Sequence, residues 1–321
     1  MARVSRTVLA AAFVVAALTG AGAQQPVFRG GSDTVRVFVT VTDRDGRLAT
    51  TLGRDDFEVR DEGKPQPLTA FDNTAQPVRL VVMLDVSGSM EGNLSLLRAA
   101  SDALFARLGP GDVVRVGSFG FDVTISPRFT ADAGALRAEL PREIAPDAPT
   151  PLWRAVDAAL SALAGEREKE GRAVVLVLSD GKDSGPLSFR ERYISQADVI
   201  DRARREDAMV YGIGLHSRSS RRGPPGLGPG GLQAALMADL PDPGLALVAQ
   251  HTGGGYIELR PNQDLGTAFA GVIDELHSQY LLGFTPPRRD GKVHDIEVRV
   301  AGRGFKPRAR RSYVAPKDAS R

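Results

Sequence analysis

The sequence predicts a doubly wound α/β fold, in which a mostly parallel β-sheet carries helices on both faces. One observation is the run "VRLVVML" from Val78, which is apolar without interruption, as in a strand buried on both faces. A second run of this kind is "RAVVLVLS" at 172–179. Segments with helical spacing of apolar residues lie between such runs, and this alternation specifies a doubly wound sheet.

The N-terminal part of the predicted fold is a small antiparallel β unit at 30–75. The stretch "TVRVFVTV" at 34–41 alternates apolar and polar residues, as a half-buried strand does. The stretch "DFEVRDEGKPQPLTAFD" predicts a hairpin that turns at Glu62 and Gly63. We therefore expect antiparallel strands before the α/β region.

The α/β region is predicted to span 76–280. After the first buried strand, the predicted elements are, in order, the helix "NLSLLRAASDALFARL", the strand "DVVRVGSF", the helix "PLWRAVDAALSAL", the strand "RAVVLVLS", the helix "SQADVIDRARRE", the strand "AMVYGIGL" and the late helix "DLGTAFAGVIDELHSQ". Residues 217–243 are dense in Gly, Pro, Arg and Ser, which predicts a mobile insertion in a connection between a strand and a helix.

The C-terminal part returns to β character at 281–316. Its strand candidates are "YLLGF", "VHDIEVRV" and "KPRARRSYV". Because the chain termini of a domain usually lie close together, the two flanking β segments could pair into one β-sandwich.

The N-terminus has the layout of a secretory signal peptide at 1–23. Arg3 and Arg6 precede the apolar run "VLAAAFVVAALTG", and the small residues "AGA" follow. The apolar run is short for a transmembrane span, so we expect an exported protein, periplasmic or secreted, with no transmembrane span after cleavage. The chain has no cysteine, which excludes disulfides and cysteine-ligated metals.

Charge argues against nucleic acid as a partner. The chain has 41 basic and 39 acidic residues, and removing the two signal-peptide arginines leaves it formally neutral. The positive charge is concentrated from Arg288 onward, where eleven Lys or Arg face four Asp or Glu. An exported neutral protein without a recognisable nucleic-acid module is not expected to bind nucleic acid. The sequence leaves the oligomeric state open.

Five oxygen-bearing side chains are predicted to meet at one edge of the sheet. Asp85, Ser87 and Ser89 follow the first α/β strand, Asp180 follows another strand, and Thr150 directly precedes a helix. Ligands of doubly wound sheets lie outside the carboxyl ends of the strands. A site with oxygen ligands only suits Mg²⁺, with Mn²⁺ or Ca²⁺ as possible substitutes, whereas Zn²⁺ would favour His or Cys.

Other readings of these residues remain open at this point. A serine at position 87 or 89 could simply cap the following helix, and Asp180 could simply open an Asp-Gly turn. Enzymatic readings are weaker. A haloacid-dehalogenase-type phosphatase would have a second aspartate where Ser87 stands, and a serine hydrolase would need G-x-S-x-G with a histidine partner. We expect no enzymatic activity.

The stretch "DVSGSM" resembles the D-x-S-x-S signature of the von Willebrand factor A domain, a Rossmann-like fold. "PTPLWRAV" resembles that family's threonine motif, and "LVLSDGKDSG" resembles its Asp-Gly motif. The resemblance implies a metal-ion-dependent adhesion site (MIDAS) at Asp85, Ser87, Ser89, Thr150 and Asp180, at which a partner protein supplies an Asp or Glu carboxylate to the metal. One departure is Pro151, where the family usually has a small residue.

The segments on both sides of this domain are "TVTDRDGRLATTLGRDDFEVRDEGKPQPLTAFD" before it and "HSQYLLGFTP", "DGKVHDIEVRV" and "RARRSYVAP" after it. They resemble a bacterial subfamily of exported proteins with this domain, common in acidobacteria. The implied function is a metal-dependent, adhesion-type binding module. The alternative is an envelope scaffold protein in which the β unit or the basic C-terminal segment makes the contacts, while the metal site is structural or vestigial.

Overall fold

The computed structural model describes residues 34–165, 171–180, 182–185, 192–216, 242–260 and 263–317. The predicted signal peptide and residues 217–241 of the predicted insertion lie outside these ranges. The described strands are β1 (Val35–Thr42), β2 (Phe57–Asp61), β3 (Lys64–Gln66), β4 (Leu68–Asp72), β5 (Val78–Asp85), β6 (Val113–Phe119), β7 (Val123–Ile125), β8 (Arg172–Ser179), β9 (Ala208–Leu215), β10 (Tyr256–Leu259), β11 (Tyr280–Phe284), β12 (Val293–Val300), β13 (Lys306–Arg308) and β14 (Ser312–Val314). The described α-helices are α1 (Leu94–Phe105), α2 (Ala133–Ala138), α3 (Leu152–Ala164), α4 (Gln196–Glu206), α5 (Pro243–Thr252) and α6 (Leu265–His277).

A six-stranded sheet in the order β10-β9-β8-β5-β6-β7 forms the centre of the α/β region. All its pairings are parallel except that of β6 with the short edge strand β7. Every residue of β5, β8 and β9 is buried, which explains why these strands are apolar without alternation. The predicted fold class is confirmed.

Helices cover both faces of this sheet. Helices α1, α2 and α6 pack on one face, in a cluster that includes Leu97 and Phe269. Helices α3, α4 and α5 pack on the other face, in a cluster that includes Trp153 and Val248. The order of strands reverses between β5 and β8, because the chain runs from β5 outward to β7 and then returns to the far side of β5. This reversal point is where a doubly wound sheet offers a crevice for a ligand.

The flanking β segments pair with each other in two antiparallel four-stranded sheets. One sheet has the order β13-β1-β11-β4 and the other has the order β14-β12-β2-β3. Each sheet therefore combines strands that precede the α/β region with strands that follow it. A single apolar core joins the two sheets, and the Phe57 and Tyr280 rings within it lie 4.8 Å apart between centroids. The arrangement is a β-sandwich.

The strands of the predicted β unit at 30–75 are divided between these two sheets. The expected hairpin at Glu62 and Gly63 forms, as β2 and β3. By contrast, β1 and β4 lie in the other sheet, where β11 separates them. The N-terminal strands therefore depend on the C-terminal segment for their pairing, since β1 and β4 pair with β11, and β2 pairs with β12.

Three other local differences from the sequence prediction involve short elements. Strand β7 and helix α2 were not predicted, and the predicted strand "KPRARRSYV" forms the two strands β13 and β14. These strands have three residues each and α2 has six, which is too short for a clear hydrophobic period. No helix among the described residues is long and apolar enough to cross a membrane.

A buried polar network joins the sandwich to the α/β region. The guanidinium of Arg172, at the start of β8, lies 4.6 Å from the Phe38 ring centroid and donates to the Leu276 carbonyl at 2.6 Å. Arg172 also donates to the side-chain carbonyl of Gln279, whose amide donates to Thr40 Oγ1 at 2.8 Å. This chain of contacts connects β8, the end of α6 and β1.

Glu275, near the end of α6, is a second centre of this network. Its Oε1 accepts hydrogen bonds from Tyr211 Oη at 2.5 Å and from Thr40 Oγ1 at 3.1 Å, and it pairs with Arg308 of β13. Buried polar groups of this kind are stable only when they are hydrogen-bonded together, so the network favours one orientation of the sandwich against the sheet.

We predict that Tyr280→Phe lowers the free energy of unfolding by about 1–3 kcal/mol. The Tyr280 hydroxyl accepts from the Leu52 N–H at 3.0 Å and donates to the Ala49 carbonyl at 2.8 Å, so its removal takes this partner from one buried and one partly buried backbone group. Urea unfolding followed by circular dichroism measures the change. Tyr193→Phe is the control, because that side chain is exposed and its substitution should change stability by less than about 0.5 kcal/mol. Equal effects of the two variants would contradict this account.

Candidate functional site

The carboxyl ends of β5 and β8 bring two carboxylates to one edge of the sheet. Asp85 is the last residue of β5, and Asp180 follows the last residue of β8. The two strands are parallel neighbours, with Leu84 paired to Leu178. Asp85 is 0% exposed and Asp180 is 1% exposed. Two acidic side chains are therefore buried at the point where the strand order reverses.

The serines connect these two carboxylates through hydrogen bonds. Ser87 donates its N–H to Asp85 Oδ1 at 2.9 Å, and its Oγ lies 3.1 Å from Ser89 Oγ. Ser89 Oγ donates to Asp180 Oδ1 at 2.6 Å. Four of the five residues predicted from the sequence thus form one continuous chain of hydrogen bonds.

The helix-capping reading of the serines does not fit this geometry. Ser87 precedes a single 3₁₀ turn at 88–90, but its side chain makes no capping hydrogen bond there. Helix α1 begins later, after Asn93 at its N-cap position. The two hydroxyls are directed to each other and to Asp180.

Thr150 is placed beside this loop by backbone contacts. Its carbonyl accepts from the Ser184 N–H at 2.9 Å, in the segment that follows Asp180, and its side chain is buried. The carbonyl of Ala148, two residues earlier, accepts from the Gly88 N–H at 3.1 Å. The Thr150 side chain is not part of the chain of hydrogen bonds that joins the other four residues.

Pro151 occupies the N-cap position of α3, with φ −77° and no side-chain cap of its own. Asp183 takes over that role, since its Oδ1 accepts from the Trp153 N–H at 3.2 Å. The Asp183 N–H in turn donates to Asp242 Oδ2 at 3.1 Å, and Asp242 caps α5 through Gly244. Helix α3, which has proline at its N-cap position, is therefore capped by Asp183 from the neighbouring loop.

Ser179 is a further residue of this site that sequence reasoning missed. Its Oγ donates to Asp85 Oδ2 at 2.5 Å, so both oxygens of the Asp85 carboxylate accept a hydrogen bond. The only signal in the sequence was a serine directly before Asp180, at the end of a buried strand. Its side chain could be assigned to Asp85 only once β5 and β8 were known to be neighbours.

Burial makes the charged form of Asp85 costly. Burial raises the pKa of Asp85 to about 7, while the hydrogen bonds from Ser179 and Ser87 act in the opposite direction, and the nearby Asp180 raises it further. A cation beside the two carboxylates would offset this cost. Among the described residues, no three His, Asp or Glu side chains converge on one point, so a cation here would also depend on hydroxyl oxygens.

The oxygen atoms gathered here are of the type that a hard divalent cation prefers. Hydrogen bonds join the two aspartates, Asp85 and Asp180, through the two serines between them. The loop that contains the buried Thr150 lies next to these residues. Mg²⁺ is bound by oxygen ligands and usually keeps several waters, so it does not need a shell made only of protein groups. The donor set is thus compatible with the predicted kind of metal.

Residues 80–182 match the von Willebrand factor type A domain model, so this chain contains such a domain. The flanking β segments lie outside the match. No sequence among the curated proteins matches this chain.

Solved structures similar to this chain include a von Willebrand factor type A protein from Catenulispora acidiphila. Its identity is 12%, with a TM-score of 0.48, over 89% of this chain and 74% of that one. Proximal thread matrix protein 1 from the mussel byssus has 16% identity and a TM-score of 0.45, over 68% of this chain. This chain spans about half of that mussel protein, at 51%. BatB from Bacteroides thetaiotaomicron has 16% identity and a TM-score of 0.43, over 62% of this chain and 98% of that one.

We predict that Gly88→Ala lowers the free energy of unfolding by about 1–3 kcal/mol, a range typical of overpacking. A Cβ atom at position 88 would lie 1.7 Å from the Pro146 carbonyl oxygen. The loop that contains Ser87 and the loop that leads to Thr150 would therefore have to separate. Thermal unfolding of the two proteins measures the difference.

Gly271→Ala is the matched control for this experiment. Gly271 lies within α6, and a Cβ atom there has no neighbour within 4 Å. Alanine at this position should be neutral or should stabilise by up to about 1 kcal/mol. If the two substitutions change the stability equally, the close approach of Gly88 to the Pro146 carbonyl is contradicted.

Proposed function

We propose that the von Willebrand factor type A domain of this chain is a metal-dependent protein-binding module. It would hold Mg²⁺ at a MIDAS-like site and engage an Asp or Glu carboxylate of a partner protein. The observation that supports this most directly is the pair of buried carboxylates, Asp85 and Asp180, joined through Ser87 and Ser89 at the sheet edge. Domains of this type commonly mediate protein interactions, and the proposed role requires no enzymatic step.

The proposed ligand set consists of Asp85, Ser87, Ser89, Thr150 and Asp180. Both Asp85 oxygens already accept hydrogen bonds, which favours a role in which Asp85 balances charge and orients Ser87. Ser87, Ser89 and Thr150 contribute neutral oxygens. Two acidic groups would balance the charge of one divalent cation, and Mn²⁺ or Ca²⁺ could substitute for Mg²⁺.

The bound metal would supply a Lewis-acidic position for a carboxylate oxygen from outside the chain. The residues of this chain would keep that position at the exposed edge of the sheet, since Ser89 is exposed while Asp85 and Ser87 are buried. A partner with an accessible Asp or Glu would complete the coordination. We place this interaction outside the cytoplasm, in the periplasm or at the cell exterior, on the basis of the signal-peptide pattern at 1–23.

We predict that Asp180→Asn lowers the affinity for Mg²⁺ by about tenfold or more, because it removes one of the two charges that offset the cation. Isothermal titration of the full chain with MgCl₂ measures this affinity. Glu91→Gln is the matched control, because it removes an exposed negative charge close to the same loop but outside the proposed ligand set. Unchanged Mg²⁺ binding by Asp180→Asn, or no Mg²⁺ binding by the parent chain, would refute the proposed site.

A second candidate function is an envelope scaffold in which the basic C-terminal segment makes the contacts. The observation that favours it is a cleft of about 980 Å³ between α5 and the C-terminal strands, lined by Leu247, Val293 and four arginines. The positive charge of this segment is partly neutralised within the fold, since Arg308 pairs with Glu275 and Arg310 pairs with Asp207. Exposed Arg311 forms no ion pair with any described residue and remains available.

Deleting the chain from Arg288 onward would not test the scaffold function, because β12, β13 and β14 are strands of the sandwich. Arg311→Glu is the better variant. If the scaffold function holds, retention of the chain on isolated bacterial envelopes should persist in EDTA and fall several-fold with Arg311→Glu. Arg303→Glu, an exposed arginine in the turn after β12, is the control. Retention that disappears in EDTA would exclude this second function.

A further inference from the structure

Exposed apolar side chains occur at the same edge of the sheet as the proposed metal site. The described chain has seven large hydrophobic residues that are clearly exposed, and among these Tyr193 at 59% and Phe121 at 56% have the largest exposure. Both lie at the carboxyl end of the sheet, because Phe121 follows β6 and Tyr193 precedes the start of α4. Leu96, in the first turn of α1, is a third member at 38%.

Of these three, Phe121 has direct structural links to the metal loops, which are the two loops of the proposed site at residues 86–89 and 148–150. It occupies the tight turn between β6 and β7, where the Gly120 N–H donates to the Asp122 carbonyl at 3.1 Å. A Cβ atom on Gly120 would lie 3.3 Å from the side chains of both Val86 and Ala148. Val86 stands between Asp85 and Ser87, and Ala148 is two residues before Thr150. The turn that presents Phe121 therefore contacts both loops of the site.

The turn also has a well-defined backbone. The Val86 N–H donates to the Phe119 carbonyl at 2.9 Å, and the Phe121 carbonyl accepts from Arg154 Nη2 at 3.4 Å. The phenyl ring is thus exposed to solvent on a backbone that is held on both sides. An aromatic side chain has only two χ angles and therefore loses little conformational entropy when it is covered, which makes such residues effective contacts in protein interfaces.

We propose that Phe121 is a specificity-determining contact for the partner, and that it packs against an apolar side chain next to the Asp or Glu that reaches the metal. This inference rests on the proposed function, since it concerns the partner of the same site. The partner segment therefore has a defined chemistry, with one carboxylate and an adjacent apolar residue. Tyr193 and Leu96 have no described contact with the metal loops, and we assign them no role.

The experiment uses displayed peptides in which random residues flank one fixed aspartate, selected on the immobilised full chain in MgCl₂ and released with EDTA. A second library with asparagine at the fixed position shows which retention depends on the carboxylate. We expect the released aspartate peptides to be enriched in apolar residues beside the aspartate. Selection on Phe121→Ala should remove this enrichment.

The affinity of one selected peptide then tests the contact directly. Phe121→Ala should weaken its binding roughly tenfold at constant MgCl₂, since the loss of one central aromatic contact has an effect of this order. Mg²⁺ binding in the absence of peptide should stay within about twofold of the parent value, because Phe121 is not a proposed ligand. Val314→Ala is the control, since it truncates an exposed apolar side chain on β14, in the sandwich, outside both the metal loops and the cleft beside α5.

The possible failures are distinguishable. If the aspartate library is retained no better than the asparagine library, the proposed function itself is wrong. If aspartate peptides are selected in a magnesium-dependent way without apolar neighbours, or with the same neighbours on Phe121→Ala, the metal function stands and the role of Phe121 is wrong. A loss of Mg²⁺ binding in Phe121→Ala would also overturn the assignment, because the residue would then act on the metal loops.

Discussion

The parallel pairing of β5 with β8 is the constraint on which the rest of the site depends. With Leu84 beside Leu178, Asp85 comes within reach of Ser179, whose hydroxyl donates to it at 2.5 Å, and Asp180 begins the next loop. A register shift of one residue would turn every side chain of β5 to the opposite face. Because helices cover both faces of β5, such a shift would exchange the side chains that fill the two apolar clusters and disturb the packing of both, so core packing maintains the register.

The formation of the β-sandwich depends on the α/β region. Both its sheets need strands from the two ends of the described chain, so the sandwich can form only when the α/β region brings those ends together. The contacts made by Arg172 and Glu275 then connect the amino-terminal end of β8, the end of α6 and strand β1. These contacts lie at the opposite end of β8 from Asp180. The exposed edge that holds the serines and Phe121 is therefore left free of the sandwich.

The long elements could be predicted from the sequence because their burial is complete or strongly periodic. Strand β5 is buried at every position and α3 has one apolar face, so each is recognisable without its neighbours. Strand β7 and helix α2 could not be recognised, since a few residues do not establish a period. The strand that pairs with both β1 and β4 could not be identified from the sequence either, because β11 lies more than two hundred residues further along the chain.

By itself, the sequence determined the fold class and the candidate site residues at the sheet edge. Both follow from local composition, because buried strands must be apolar, and polar residues directly after such strands are recognisable in the sequence. Only the tertiary structure decided which groups meet: Ser179 with Asp85, Ser89 with Asp180, and the Gly120 turn with Val86 and Ala148. Those pairings depend on which strands are neighbours and on how loops distant in sequence pack together, and local sequence patterns contain neither.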